Sequence, residues 1–104
     1  YNNKQIDGDC DMVLSHRDLK HKIEAFGWDV VDLPNGNDME AVDQALKEAK
    51  SRTGKGKPVF IFMRTEMGHG IDFMVGDHKW HGVAPNNEQL AKALAQLEET
   101  LGDY

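Results

Sequence analysis

The chain is poor in cysteine, because Cys10 is the single one among its 104 residues. One cysteine cannot form an internal disulfide, and it leaves too few soft ligands for a closed structural zinc site. We therefore expect a reducing, cytoplasmic setting. A run of about 18 apolar residues is also missing, and the N-terminus lacks the basic and then apolar layout of a secretory signal. The sequence accordingly predicts no membrane partner.

Basic charge is scarce as well. Lysine and arginine together number 12 against 18 aspartate and glutamate residues, which gives a formal net charge of −6. The basic residues are scattered along the chain and form no stripe, so the electrostatic footprint of a phosphate-backbone binder is missing. We expect no nucleic acid partner. The length allows one domain at most, and the chain opens on Tyr1 and a polar run, so we expect a piece of a longer chain.

Apolar residues recur first at helical and then at strand-like spacing, an order that is typical of α/β domains. The spacing predicts a helix over residues 16–26, capped by Ser15 with Asp18 three positions on. A valine-rich strand over residues 28–33 follows, and Asn37 then caps a second amphipathic helix. Short links between these segments favour right-handed crossovers and a parallel sheet.

Two later segments complete the pattern. Val59–Met63 is an unbroken apolar run of the kind found in parallel strands that are covered on both faces. Asn86 and Gln89 form a cap pair for a final amphipathic helix. The predicted apolar stripes of the second and final helices are Val42, Ala45, Leu46 and Ala49, and Leu90, Leu94, Leu97 and Leu101.

Chemistry-bearing side chains concentrate between Thr65 and Pro85. This segment has no apolar period, yet it holds four glycines, three histidines and a tryptophan. Loops that carry so many functional side chains are often binding or catalytic segments. We therefore place the chemistry of the chain in this loop.

Three simple site motifs are incomplete. Asp7, Asp9 and Asp11 alternate as in a helix-loop-helix calcium loop, but Met12 and Asp18 occupy the positions where that loop needs glycine and glutamate. The stretch over residues 54–57 resembles half of a phosphate loop, yet it leads into a strand and is better explained as a solvated turn. Asp77, His78 and His81 could in principle ligate zinc, although no third strong ligand is signalled beside the two histidines.

A combination of five segments is more specific than any of these motifs. They are Asn2-Asn3-Lys4-Gln5-Ile6-Asp7-Gly8, Ile23-Glu24-Ala25-Phe26-Gly27-Trp28, Asn35-Gly36-Asn37-Asp38, Thr65-Glu66-Met67-Gly68-His69-Gly70 and Trp80-His81-Gly82-Val83-Ala84-Pro85. In this order, and over nearly all of the chain, the segments together resemble the transketolase family.

The resemblance implies a partial thiamine-diphosphate-binding fold, with parallel strands alternating with helices. It implies that residues 1–104 are the C-terminal portion of the diphosphate-binding domain and that the N-terminal part is missing. In this family the opening Gly-Asp-Gly half of the cofactor motif lies upstream of the segment that matches Asn2 to Gly8. Asn2 would give a side-chain oxygen, and Lys4 a backbone carbonyl, to Mg²⁺ on the cofactor diphosphate. Magnesium takes few protein oxygens, which agrees with such a ligand pair.

Further residues match cofactor-binding positions of the family. His81 matches the histidine that reaches the diphosphate, a role that suits an imidazole donor facing an anion. Ile6 matches a position beside the thiazolium ring, and the alternative is an ordinary buried residue at a strand end. Gly68 would let the backbone approach the cofactor, although turn geometry alone could explain it. Met67 departs from relatives that carry lysine there.

The resemblance also implies an activity for the parent protein. Transketolase transfers a two-carbon ketol unit from a ketose phosphate to an aldose phosphate, using thiamine diphosphate and Mg²⁺. The ring-activating glutamate belongs to a separate pyrimidine-binding domain, so we expect no catalytic residue in this chain and no activity from it alone. The expected partners are sugar phosphates and the rest of a transketolase, as a homodimer or a dimer of split subunits.

Two alternatives stay open. A sister thiamine diphosphate enzyme, such as a deoxyxylulose-phosphate or dihydroxyacetone synthase, would share the cofactor anchor and differ in its acceptor. A non-catalytic interaction module would keep the fold and lose the site. The sequence upstream of Tyr1 would separate a catalytic parent from such a module.

Overall fold

The computed structural model describes residues 1–98 of the chain. A short hairpin and a one-turn helix open the chain, and a β-α-β unit forms its centre. In chain order the elements are β1 (Lys4–Gln5), β2 (Gly8–Asp9), α1 (Cys10–Val13), α2 (Leu19–Ala25), β3 (Asp29–Leu33), α3 (Met39–Arg52), β4 (Val59–Met63), a 3₁₀ turn (His78–His81) and α4 (Asn87–Leu94).

The central sheet has two parallel strands. Asp29 of β3 lies opposite Val59 of β4, and Leu33 lies opposite Met63. The long helix α3 connects the two strands and packs against both of them. This β-α-β arrangement confirms the predicted α/β fold class and the parallel pairing. The strand bounds agree with the sequence prediction to within one residue at β3 and fully at β4.

The core lies between the sheet and α3. Val31 and Leu33 point to the helix from β3, and Ala45 and Ala49 meet them from α3. Small alanines on the helix let it approach the strands closely, while the larger aliphatic residues of the sheet fill the space. Leu46 was predicted to share this stripe, but its side chain is 54% exposed. The prediction was wrong there because the stripe is narrower than the sequence spacing indicated.

The opposite face of the sheet is covered in part by α2 and by aromatic side chains. The guanidinium of Arg64 lies over the ring of Phe62 at 4.6 Å and forms an ion pair with Asp32. Lys20 of α2 approaches the same carboxylate at 3.4 Å. The hydrogen bond from Arg64 is the main cause that lowers the pKa of Asp32, although burial acts against it.

Both predicted caps upstream of β4 are displaced. The helix expected over residues 16–26 begins at Leu19, and Asp18 accepts the His21 N–H at 3.1 Å in place of the predicted cap Ser15. Arg17 has a left-handed φ of 53°, so no helix passes through it. For α3 the cap is Asp38, which accepts two backbone N–H groups, and Asn37 is not the cap.

Helix α4 begins as the sequence predicted. Asn86 and Gln89 exchange side-chain-to-backbone hydrogen bonds of 2.9 Å each, which is a complete capping box. Its buried residue is Ala93, whereas the predicted stripe residues Leu90, Leu94 and Leu97 are exposed. The fourth predicted stripe residue, Leu101, lies outside the described residues. Among residues 1–98, no helix is long and apolar enough to cross a membrane.

Candidate functional site

The hairpin at the start of the chain is shaped by Asn3. This residue has a left-handed φ of 54°, a conformation that asparagine tolerates better than most residues. Its carbonyl accepts the Cys10 N–H at 2.9 Å, and its side-chain oxygen accepts the Tyr1 hydroxyl at 2.9 Å and the Asp11 N–H at 3.3 Å. The sequence prediction missed both the hairpin and the role of Asn3. The Asn2-Asn3 doublet was the available signal.

Two predicted magnesium ligands lie on this hairpin. The side-chain oxygen of Asn2 accepts the Lys4 N–H at 2.9 Å, which leaves it a second lone pair for a cation. Ladder bonds alternate along an antiparallel pair, and the carbonyl of Asn3 is bonded across the hairpin. The carbonyl of Lys4, the next residue, therefore points away from β2. Asn2 is exposed, so its oxygen is open to solvent.

The positive charge of the Lys4 side chain is paired within the hairpin. Its ammonium forms an ion pair with the carboxylate of Asp9 across the hairpin. The two charges compensate each other, so a divalent cation beside the Lys4 carbonyl would not face an isolated ammonium. A lysine at this position is thus compatible with a carbonyl ligand.

The 3₁₀ turn that bears His81 packs against the hairpin. The turn packs against both β1 and β2, although it lies near the other end of the chain. Asp77 caps it by accepting the Lys79 N–H at 3.0 Å. The indole N–H of Trp80 donates to the carbonyl of Phe73 at 3.0 Å and ties the turn to the preceding part of the loop. His81 itself is exposed.

Gly68 lies inside the loop and has a left-handed φ of 73°. A Cβ atom there would meet the carbonyl oxygen of Met74 at 2.4 Å, which is far below van der Waals contact. Hydrogen bonds within the loop hold Gly68 and Met74 this close together. One of them runs from the Gly76 N–H to the Met67 carbonyl at 2.8 Å. The internal packing of the loop is therefore sufficient to require glycine at position 68. Its approach to a cofactor stays a prediction.

Ile6 occupies the two-residue turn between β1 and β2. The side chain is 63% exposed, so the alternative of a buried strand-end residue is wrong. A β-branched apolar residue is an unusual choice for an exposed hairpin turn, where glycine, asparagine and aspartate are preferred. Its placement leaves an apolar surface beside Asn2 and Lys4 for a ligand or a further segment to cover.

The simple metal and phosphate motifs are not assembled. Among residues 1–98, no three histidine, cysteine, aspartate or glutamate side chains come together in a way that could hold a metal ion. The zinc alternative at Asp77, His78 and His81 and the calcium alternative at Asp7, Asp9 and Asp11 both lack support. Residues 54–57 form an exposed turn that leads into β4, as the solvated-turn interpretation predicted.

A cavity is lined by residues of the loop and of the C-terminal segment, and no hairpin residue belongs to its lining. It measures about 740 Å³ and lies between the loop and α4. Phe73, Trp80 and Val83 line one side, and Lys92 and Gln96 line the other. None of the predicted cofactor and magnesium residues lines it, although Lys79 and Trp80 of the 3₁₀ turn do.

Comparison with known proteins identifies relatives for this arrangement. The family described as "Transketolase, thiamine diphosphate binding domain" matches residues 1–102. An apulose-4-phosphate transketolase subunit from Phocaeicola vulgatus is 33% identical over 100 residues, which cover 96% of this chain and 34% of that protein. A transketolase of Staphylococcus epidermidis is 36% identical over 90 residues, covering 86% of this chain and 13% of that protein.

Solved structures give the same result. The crystal structure of transketolase from Campylobacter jejuni superimposes with a TM-score of 0.78 at 34% sequence identity, covering 91% of this chain and 14% of that one. Transketolase from Leishmania mexicana also superimposes with a TM-score of 0.78 at 34% identity. The chain thus spans about a third of the length of one relative and about a seventh of the others.

Proposed function

Because the chain belongs to the transketolase family of thiamine diphosphate binding domains, we propose that it is the C-terminal portion of such a domain in a larger enzyme. The parent enzyme would transfer a two-carbon ketol unit from a ketose phosphate to an aldose phosphate in the cytoplasm. The cofactor would supply the bond chemistry when bound. The observation that carries the proposal is the packing of the turn that bears His81 against the hairpin that bears Asn2 and Lys4.

The donor set of the hairpin suits Mg²⁺ on a diphosphate. Asn2 offers an amide oxygen and Lys4 offers a main-chain carbonyl, and both are neutral hard oxygens. Two neutral oxygens hold a magnesium ion weakly by themselves, so phosphate oxygens and a further carboxylate would complete an octahedral shell. We propose that this carboxylate comes from the Gly-Asp-Gly half of the motif in another part of the parent.

His81 would act on the anion and not on the metal. Its position on an exposed turn next to the hairpin allows an imidazole N–H to donate to a diphosphate oxygen. Ile6 would cover the apolar part of the cofactor from the hairpin turn. None of these residues exchanges a proton with a substrate in our proposal, so we expect the chain alone to be inactive.

The remaining parts of the enzyme would come from outside the chain. The pyrimidine-binding domain with its activating glutamate would lie in the same parent or in a separate polypeptide, and the assembly would be a homodimer or a dimer of split subunits. The relative from Phocaeicola vulgatus is named as one subunit of its transketolase, which favours the split arrangement. A sister thiamine diphosphate enzyme with another acceptor remains the second candidate, since the match covers only 34% of that relative.

Replacement of His81 tests the cofactor role in the intact parent. A hydrogen bond to a charged group contributes about 1.5–3 kcal/mol, so His81→Ala should raise the thiamine diphosphate dissociation constant by about ten- to a hundredfold. His78→Ala is the matched control in the same turn and should change it far less. Titration calorimetry of the parent with Mg²⁺ present measures both constants.

Equal losses of affinity for the two variants would contradict the diphosphate role of His81. The zinc alternative makes a different prediction, in which both substitutions release metal and destabilise the fold to similar extents. A zinc-specific chelator would then mimic the substitutions. If His81→Ala kept its affinity for thiamine diphosphate and its stability, His81 would not be a cofactor-binding residue.

A further inference from the structure

Trp80, the residue before His81 in the 3₁₀ turn, makes two contacts with Phe73. Its indole N–H donates to the carbonyl of Phe73 at 3.0 Å, and its ring meets the Phe73 ring edge to face with centroids 5.7 Å apart. The hydrogen bond constrains the orientation of the indole ring, and the ring contact constrains its distance from Phe73. The side chain of Trp80 is half-buried, whereas the adjacent His81 is exposed.

The residue before Phe73 is held by the segment after α4. Asp72, the neighbour of Phe73, donates its backbone N–H to the side chain of Gln96 at 2.8 Å. The amide of Gln96 returns a hydrogen bond to the carboxylate of Asp72 at 2.7 Å. The Phe73 carbonyl thus lies next to a two-point attachment between the loop and the segment that follows α4.

We propose that Trp80 is the positioning residue for His81 and that it acts through its hydrogen bond to the Phe73 carbonyl. The inference rests on the proposed function, because it assigns His81 to the cofactor diphosphate. The 3₁₀ turn is one turn long, and Asp77 holds only its first residues, through the Lys79 and Trp80 N–H groups. Trp80 adds a constraint next to His81, and Asp72 and Gln96 connect that constraint to the segment after α4.

The first experiment uses this chain alone and tests whether the indole is held. Proton exchange of the two indole N–H groups is measured by NMR, with Trp28 as the internal control. Trp28 also meets a phenylalanine edge to face, at 5.9 Å from Phe60, but it is 39% exposed. We expect slower exchange for Trp80 than for Trp28. Equal exchange rates would overturn the proposal.

The second experiment is a double-mutant cycle in the intact parent. Trp80→Phe keeps an aromatic ring and removes the N–H donor, and it should raise the dissociation constant of thiamine diphosphate by about two- to tenfold, as for one neutral hydrogen bond. In the His81→Ala background the same change should have no further effect, because the residue that it positions is gone. Trp28→Phe should leave the constant unchanged in both backgrounds.

The outcomes separate the two proposals. An equal loss from Trp80→Phe in both backgrounds would assign Trp80 a structural role only, and it would overturn the positioning role. A loss from His81→Ala with none from Trp80→Phe would also overturn it and leave the cofactor role of His81 intact. If His81→Ala itself has no effect, the cofactor role fails, and the indole exchange in the isolated chain still decides whether Trp80 holds the turn.

Discussion

Individual residues of the Thr65 to Pro85 loop are constrained by its own backbone. The loop folds back on itself, so that Gly68 lies against the main chain of Met74. Gly76 also has a left-handed φ, of 67°, yet a Cβ atom there would meet no atom within 4 Å. Two glycines with similar φ angles therefore differ in the space around them.

This difference predicts unequal effects of two alanine substitutions. Gly76→Ala should cost about 1–2 kcal/mol, the usual cost of a left-handed conformation for a residue with a Cβ. Gly68→Ala should cost clearly more, because the Met74 carbonyl must also move. Thermal or urea unfolding of the two variants and the unsubstituted chain measures the free energies. Equal losses of unfolding free energy would show that the contact between position 68 and the Met74 main chain does not restrict the side chain at position 68.

The sequence indicates some residue roles and gives no signal for others. Roles for Asn2, Lys4 and His81 were predicted from the segments that resemble transketolase, and they stay predictions. The importance of Asn3 and Trp80 depends on a backbone angle and on a hydrogen bond to Phe73, and neither has a spacing signature. Leu46 was assigned to the core because a stripe of spaced residues does not show how wide the buried strip is.

At the scale of elements, the helix caps are decided by competition between neighbouring polar residues. Asn37 and Asp38 could both have capped α3. Asp38 accepts the N–H groups of Glu40 and Ala41, at 3.0 and 3.3 Å. Asn37 instead accepts the Glu66 N–H at 2.7 Å and ties the start of the loop to the segment before α3. The sequence could locate the helix start to one residue, but this long-range bond could not be seen in it.

Two substitutions separate these roles. Asp38→Ala should destabilise the chain by about 0.5–2 kcal/mol through loss of the α3 cap. Asn37→Ala should leave the helix intact and loosen the loop, since the Glu66 N–H then loses its partner. Hydrogen exchange by NMR measures both effects. The amides in the first turn of α3 should lose protection in Asp38→Ala, and the amide of residue 66 should lose protection in Asn37→Ala. If the first turn of α3 lost protection in both variants, Asn37 would also be a cap of the helix.

At the scale of the whole molecule, the described part of the chain is extended, with a radius of gyration of 17.0 Å and principal extents of 51, 38 and 18 Å. A compact domain of this length would have a radius of gyration of about 13 Å. Several large apolar side chains are exposed, above all Met12 at 85%, Phe26 at 81% and Leu14 at 75%. Their exposure agrees with the proposal that further parts of a transketolase cover the chain.

The contact between the hairpin and the 3₁₀ turn also governs the order in which the molecule assembles. The β3-α3-β4 unit joins segments that are close in sequence, whereas the hairpin and the turn lie at opposite ends of the described chain. Closing a longer loop costs more entropy, so the contact between the two ends should form after the central unit. It should also open first. We expect amide protons of the hairpin to exchange with solvent faster than those of β3 and β4, and equal protection would show that the hairpin folds together with the core.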